Sequence, residues 1–342
     1  EDGTRAVAYL DYSEESIIEI SGVVDLSEVV IIDLTGAMDP MAVSIGFSPD
    51  NILFNADGTR AVILSRSKVV LVDMESFDVL VEFPLVLDAD QTVDPSGAVL
   101  TEDGSKVLVS VRGSSDLYVL NLESGSYSID MEELSGAPSA LAVSEGTNET
   151  LVVYSSSTLP QVDFIDNDSG DLQPAETIDL DEPVTGVLMG DSDPEDGLAG
   201  YALLYNDGGS DYYDVVKLDL ETNEVHELRV ENPVTSMQLS ASQQFAVGVL
   251  RPEDSWGSGL DQYADSHWGL AVVNLRSGEE EVISLVVESE SVGVELIEDA
   301  DAGTTYALVL MEGVESLLKL DLAHPSAYTE VELEAAPVGI GS

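Results

Sequence analysis

The sequence predicts an all-β protein, a seven-bladed β-propeller of four-stranded antiparallel blades, closed by N- and C-terminal strands that share one blade. Three observations predict it. A β-rich strand ending in Asp or Asn recurs seven times, a turn of the Asp-Gly kind followed by a second β-rich strand recurs seven times between those copies, and the two ends of the chain each carry the half of a blade that the other lacks. Helix-period segments are essentially missing.

The first marker reads VVIIDLTG, VVLVDMES, LYVLNLESG, VDFIDNDSG, VVKLDLETN, LAVVNLRSG and LLKLDLAHP. Aligned on Asp33, Asp73, Asn121, Asp166, Asp219, Asn274 and Asp321, the copies stand about 48 residues apart on average. That period belongs to four-stranded propeller blades. The second marker reads DGTRAVAY from Asp2, DGTRAVIL from Asp57, DGSKVLVS from Asp103, EGTNETLVVY from Glu145 and DGLAGYALLY from Asp196, with weaker forms at Ser242 and Ala302. Asp-Gly between alternating apolar runs signals a hairpin, because Gly accepts the positive φ such turns demand.

Outer strands follow each Asp/Asn strand, as in DVLVEFPL, EVHELRV and EVISLVV, and small-residue apolar segments, MAVSIGFS from Met41, PSALAVS from Pro138 and PVTSMQLS from Pro233, read as inner strands. The order within a blade is thus inner strand, turn, second strand, Asp/Asn strand, outer strand. The chain starts at a DG turn lacking its inner strand and finishes on APVGIGS from Ala336, an inner strand lacking its turn. Residues 1–342 therefore read as a single propeller domain. Closure of that kind removes free sheet edges.

Composition narrows the partners. Against 67 Asp and Glu stand 11 Lys and Arg, a net charge of −56. Phosphate neutralisation needs a basic patch, so nucleic acid is excluded as a partner, and anionic lipid surfaces are excluded for the same reason. Hydrophobic content of 44% makes this a packed protein with its acids on the surface, and not a disordered chain. Dense carboxylates suit a protein kept soluble in concentrated salt; the functional alternative is an acidic face that gathers cations or a basic partner. There is no Cys, hence no disulfide and no thiolate metal site. No apolar run of about 18 residues exists to span a membrane. The chain opens at Glu1 without Met, and the expectation is an export signal that has been removed.

The segment DGSKVLVSVRGSSDLYVLNLESG, Asp103 to Gly125, resembles the repeat of YVTN-type β-propellers: a DG turn, an apolar strand, a Ser-rich turn, and a strand ending in Asp/Asn-x-x-Ser-Gly. The YVTN tetrapeptide and the Trp-Asp signature of WD40 repeats are both missing. The resemblance implies an extracytoplasmic propeller, secreted, periplasmic or on the cell surface, usually a protein-binding scaffold, with a minority of lactonase-like enzymes. Self-association into a surface layer or filament is a third expectation.

Loop lengths point to a site. From turn to Asp/Asn strand end, the first and sixth repeats are longer than the rest. The sixth-repeat insertion, Arg251 to Gly269, holds both Trp residues, and Arg251, Trp256, Tyr263, His267 and Trp268 are the candidate binding residues. Two acidic loops offer alternate carboxylates of the type calcium prefers: Asp166, Asp168 and Asp171 in one, Asp191, Asp193 and Asp196 in the other. The three histidines, His226, His267 and His324, stand in different repeats, and no nucleophile elbow, HExxH, phosphate loop or dinucleotide fingerprint is present, so no catalytic residue is assigned.

Overall fold

A computed structural model describes residues 4–9, 28–46, 49–55, 57–86, 92–123, 125–144, 148–156, 159–169, 172, 174–181, 183–190, 200–206, 214–230, 232–252, 267–275, 281–287, 289–299 and 303–333. The described residues contain no helix, and therefore none long and apolar enough to cross a membrane. The chain divides into two compact units, Glu1–Tyr154 with Val162–Thr177, and Ser155–Gln161 with Ile178–Ser342.

The first unit begins with a sheet of three described strands, β1 (Arg5–Ala8), β2 (Glu28–Asp33) and β3 (Met41–Ser44), in the order β1-β2-β3. The predicted fourth strand of that sheet, Ala336 to Ser342, lies outside the described residues. Two four-stranded sheets follow: β4 (Pro49–Phe54), β5 (Arg60–Ser65), β6 (Lys68–Asp73) and β7 (Val79–Pro84), then β8 (Pro95–Leu100), β9 (Lys106–Val111), β10 (Asp116–Asn121) and β11 (Ser128–Glu133). The fourth sheet holds β12 (Ala140–Ser144), β13 (Glu149–Ser156), β14 (Leu159–Asp166) and β15 (Pro174–Asp179), most of it in the first unit.

The second unit holds three more four-stranded sheets. The fifth is β16 (Gly186–Gly190), β17 (Tyr201–Tyr205), β18 (Asp214–Asp219) and β19 (Val225–Arg229). The sixth is β20 (Val234–Leu239), β21 (Phe245–Leu250), β22 (Gly269–Asn274) and β23 (Glu281–Val286). The seventh is β24 (Ser291–Asp299), β25 (Thr304–Met311), β26 (Ser316–Asp321) and β27 (Thr329–Glu332). Every sheet pairs its strands in chain order. Each pairing whose register is defined is antiparallel, for example Arg60↔Asp73 and Phe245↔Asn274.

One strand differs from expectation. Met41–Ser44 is not the inner strand of the second sheet but the outer strand of the first, paired Ile31↔Met41 through Glu28↔Ser44. Asp33 causes the reversal: its carboxylate accepts from the N–H and hydroxyl of Thr35 and from the N–H of Met38, folding the intervening turn back on β2. The inner strand of the second sheet is β4.

The aligned Asp/Asn explains why the repeat is visible in sequence. Its side chain accepts the N–H two residues on in six copies: Asp33 from Thr35, Asp73 from Glu75, Asn121 from Glu123, Asp166 from Asp168, Asp219 from Glu221 and Asp321 from Ala323. Short side chains that bind their own backbone set this turn, and Asn does so without charge. The next residue then donates its N–H to the carbonyl just ahead of the second strand in six copies, as in Leu34 to Thr4, Met74 to Thr59 and Leu275 to Gln244, and in the seventh Leu322 donates to Thr305, near the start of that strand. In the fourth and sixth repeats, Asn148 and Gln243 take positive φ ahead of the second strand.

Cores sit between neighbouring sheets. Within the first unit, Ile31, Val43 and Ile45 meet Ile63, Val70 and Phe77, while Leu71 and Phe83 meet Val109 and Leu120. Within the second, Val215 and Leu228 meet Ala246 and Val273, and Val247 and Leu270 meet Val309 and Leu318. Strands β5, β6 and β21 are buried almost throughout, as two-sided covering requires. Each such Leu, Ile or Val contributes about 1.5–3 kcal/mol by leaving water.

Long polar side chains fasten some sheets to the next. Arg60, Lys106 and Tyr201 occupy the first position of the second strand in their sheets, and each reaches a backbone carbonyl of the following sheet: Arg60 that of Leu122 (3.4 Å), Lys106 those of Asn167 and Ser169, Tyr201 that of Gln243 (2.7 Å). Lys217, two residues before Asp219, reaches Leu275 O at 3.4 Å and lies 5.6 Å from the Tyr201 ring centre. Its counterpart Lys319 lies 3.8 Å from the ring centre of Tyr306.

Candidate functional site

In the second unit the core between the sixth and seventh sheets opens into a cavity of about 550 Å³. Its walls alternate as β-strands must, with residues two apart on one face. From the seventh sheet come Leu318 and Leu320 of β26, Ser316 at its start, Glu330 of β27 and Tyr328 just before it. The register sets Leu318 opposite Glu330 and Ser316 opposite Glu332, so Tyr328, Glu330 and Glu332 share the face that carries the apolar lining. From the sixth sheet come Leu270, Leu285, Val286, Val287 and His267, and Met311 of β25 completes the lining.

Side-chain size explains the space. At the junction of the second and third sheets, Phe83 and Tyr118 occupy the positions that Leu285 and Leu318 hold here, by the pairings Val69↔Phe83 and Leu270↔Leu285 and by distance from Asn121 and Asp321. Both aromatic rings pack into that junction's core. Two leucines in place of Phe and Tyr leave room that the sheets, held by their ladders, do not close.

The electrostatics are lopsided. Glu330 is exposed, its side chain makes no hydrogen bond or ion pair with a described residue, and among the described residues no Lys or Arg lines the cavity. Tyr328 is 52% exposed, an aromatic face at the mouth.

Of the five candidate binding residues, His267 lies in the cavity wall. Trp268 packs against the core between the sixth and seventh sheets, and its carbonyl accepts the Val287 N–H at 2.9 Å, so it supports this wall from behind. Arg251 is pinned by its backbone: its N–H donates to Pro233 O, and its carbonyl accepts from Asn232 Nδ2. Trp256 and Tyr263 lie outside the described residues. Leu285, Leu318, Tyr328 and Glu330 were missed in the sequence reading, because they sit in ordinary strand positions and the signal was loop length. The available signal was the loss of aromatics relative to Phe83 and Tyr118.

Of the acidic-loop candidates, Asp171, Asp191, Asp193 and Asp196 lie outside the described residues. Asp166 serves as the turn cap of its repeat, accepting the Asp168 N–H at 2.9 Å, and Asp168 accepts from Asn148 Nδ2 at 3.0 Å. The carbonyls of Asn167 and Ser169 in the same turn face the Lys106 ammonium, a cation supplied by the chain itself. Among the described residues, no three His, Asp or Glu converge as metal ligands. His226 and His324 are exposed, beside Glu224 (3.8 Å) and Asp321 (3.3 Å) respectively.

A buried polar pair marks the first unit. In the fourth sheet the Asp163 carboxylate is fully buried, accepting from Tyr154 OH at 2.8 Å and Thr177 Oγ1 at 2.6 Å. Burial, and then the bond to Asp163, push the Tyr154 hydroxyl far above the usual phenol range. At the turns, the hydroxyls of Thr35 and Thr59 hold Asp33 and Asp57 below the usual carboxylate range, and the Ser76 N–H does the same for Asp73.

No family model matches the chain, and no curated protein matches it. Solved structures do. Hydrazine synthase of Kuenenia stuttgartiensis is similar with a TM-score of 0.56 and 16% identity, over 85% of this chain and 88% of that one. Dihydro-heme d1 dehydrogenase NirN, in complex with DHE, is similar with a TM-score of 0.64 and 16% identity, over 92% of this chain and 63% of that one. At such identity the likeness bears on fold alone. With its antiparallel sheets in chain order, this chain has the fold of a seven-bladed β-propeller.

Proposed function

We propose that this chain is an extracytoplasmic β-propeller of the YVTN-like kind that binds protein partners, with the cavity between the sixth and seventh sheets as its docking site. One observation carries the proposal. The cavity opens beside His267, at the end of the Arg251–Gly269 insertion that stands out in the sequence, and pairs an apolar floor with a polar, exposed mouth. A recess of about this volume with few polar groups is the usual form of a recognition site. Extracytoplasmic placement rests on the YVTN resemblance, and the absence of cysteine and the net charge of −56 are in keeping with it and with life in concentrated salt.

The test is comparative capture from an envelope fraction of the source cells at high salt. The native chain is set against Leu318→Tyr and Leu285→Phe, which restore the rings found at the second-to-third junction, with thermal unfolding run on all three. A partner retained by the native chain and lost by both folded variants supports the docking site. A partner retained by all three refutes it.

A further inference from the structure

We infer that the occupant of this cavity is a basic segment of the partner, an apolar or aromatic side chain buried in the recess and a neighbouring Lys or Arg held at its mouth by Glu330 and the face of Tyr328. The inference rests on the docking reading above and adds the chemistry of the guest.

Three observations select that chemistry. The lining below the mouth is mostly apolar, from Leu270, Leu285, Val287, Met311, Leu318 and Leu320, so the buried part of the guest is apolar. Space of about 550 Å³ exceeds one side chain and suits a short peptide run. The mouth carries a carboxylate without a described partner and an exposed tyrosine ring, with Glu332 on the same face, and among the described lining residues there is no Lys or Arg, His267 being the one basic side chain. A cation is attracted by both groups, through charge and through the ring quadrupole, whereas an anion brought there is repelled by Glu330 and Glu332. The rest of the chain repeats the preference: a net charge of −56 steers basic partners toward it and acidic ones away.

The site separates the two contributions. Glu330 is exposed on an outer strand, so its replacement leaves the fold intact, and Leu318 and Leu285 control the space. The experiment uses the full chain at fixed high salt with three end-blocked probes, Lys-Trp-Leu-Lys, Glu-Trp-Leu-Glu and Lys-Gly-Ser-Lys, followed by saturation-transfer NMR on the peptide signals. The first probe is expected to bind through its Trp and Leu protons, with no saturable transfer to the other two. Leu318→Tyr and Leu285→Phe are expected to abolish binding while keeping the native melting transition. Glu330→Gln is expected to weaken it roughly two- to five-fold, the range of an exposed ion pair.

Equal binding of the basic and acidic apolar probes, lost in both filled variants, overturns the cationic guest and leaves the docking cavity standing. Binding of the basic probe that survives both filled variants overturns the docking cavity itself. No saturable binding by any probe overturns the guest proposed here.

Discussion

Gly190 sits opposite Tyr201 on neighbouring strands of the fifth sheet, and a methyl group there would have nowhere to go. A Cβ on Gly190 would lie 2.3 Å from the Tyr201 Cζ and 2.6 Å from both Cε atoms. Those atoms are the far end of a side chain, and such ends often swing aside. This one is tethered: Tyr201 is 2% exposed, its hydroxyl donates to Gln243 O at 2.7 Å, and Lys217 stands against its ring. Gly190→Ala therefore loses the hydrogen bond, about 1 kcal/mol, and the cation–π contact, about 0.5–1 kcal/mol, and strains the packing by about 1–3 kcal/mol. Overlap among these costs gives an expected loss of about 2–4 kcal/mol. Urea unfolding at fixed salt measures it. The decisive comparison repeats the substitution in Tyr201→Leu, which lacks the ring tip. There Ala is expected to be neutral or stabilising by about 0.5–1 kcal/mol, since Gly is the poorer strand residue. An equal cost in both backgrounds, or no cost in the native chain, would refute the fitted-ring account.

Tyr154→Phe removes one donor from the buried Asp163 and is expected to cost about 1.5–3 kcal/mol by urea unfolding, the range for bonds to charged groups. Because burial and Asp163 raise the Tyr154 hydroxyl, folded-state protonation gives stability that is complete below the unfolded phenol value near pH 10 and falls away above it. Alkaline titration by near-ultraviolet circular dichroism should show a loss attributable to this group, absent in Tyr154→Phe. At the acid end the sign reverses: Asp33, Asp57 and Asp73 lie low, so their contribution holds above about pH 4 and disappears as pH falls through their depressed values. Asp73→Ala should accordingly differ from the native chain at neutral pH and converge on it below about pH 3 in acid unfolding curves. Lys106→Met should cost about 1–2 kcal/mol, with little change on raising salt because the acceptors are carbonyls; strong salt dependence would show that a carboxylate is the true partner.

The architecture was legible because each repeat reuses two local devices, the Asp/Asn cap and the turn of positive φ, and both act within a few residues of themselves. Where the device failed, so did the reading. Met41–Ser44 looks like an inner strand by composition, and only the cap geometry at Asp33 shows that the chain doubles back. The candidate site was half legible. His267 was found through the long insertion, but its companions Leu318, Tyr328 and Glu330 come from the next repeat, and what makes them a site is the absence of two rings. A missing volume leaves no motif. The Gly190 and Tyr201 pairing was likewise silent, since it depends on register across a loop of uncertain length.

The fastening of Arg60 to Leu122, Lys106 to Asn167 and Tyr201 to Gln243 has a consequence for how such a chain can grow or shrink. In these three cases the donor opens the second strand of one sheet and the acceptor carbonyl lies beside a turn of the next, so the contact ties consecutive repeats together. Cutting the gene after the second, third or fifth sheet would sever one of these fasteners. Exchange at the middle of a sheet, between second and third strands, severs them too, because Arg60 and Lys106 precede such a cut while Leu122 and Asn167 follow the next one. A repeat gained or lost at these junctions must therefore bring its own donor and meet a matching carbonyl in its neighbour.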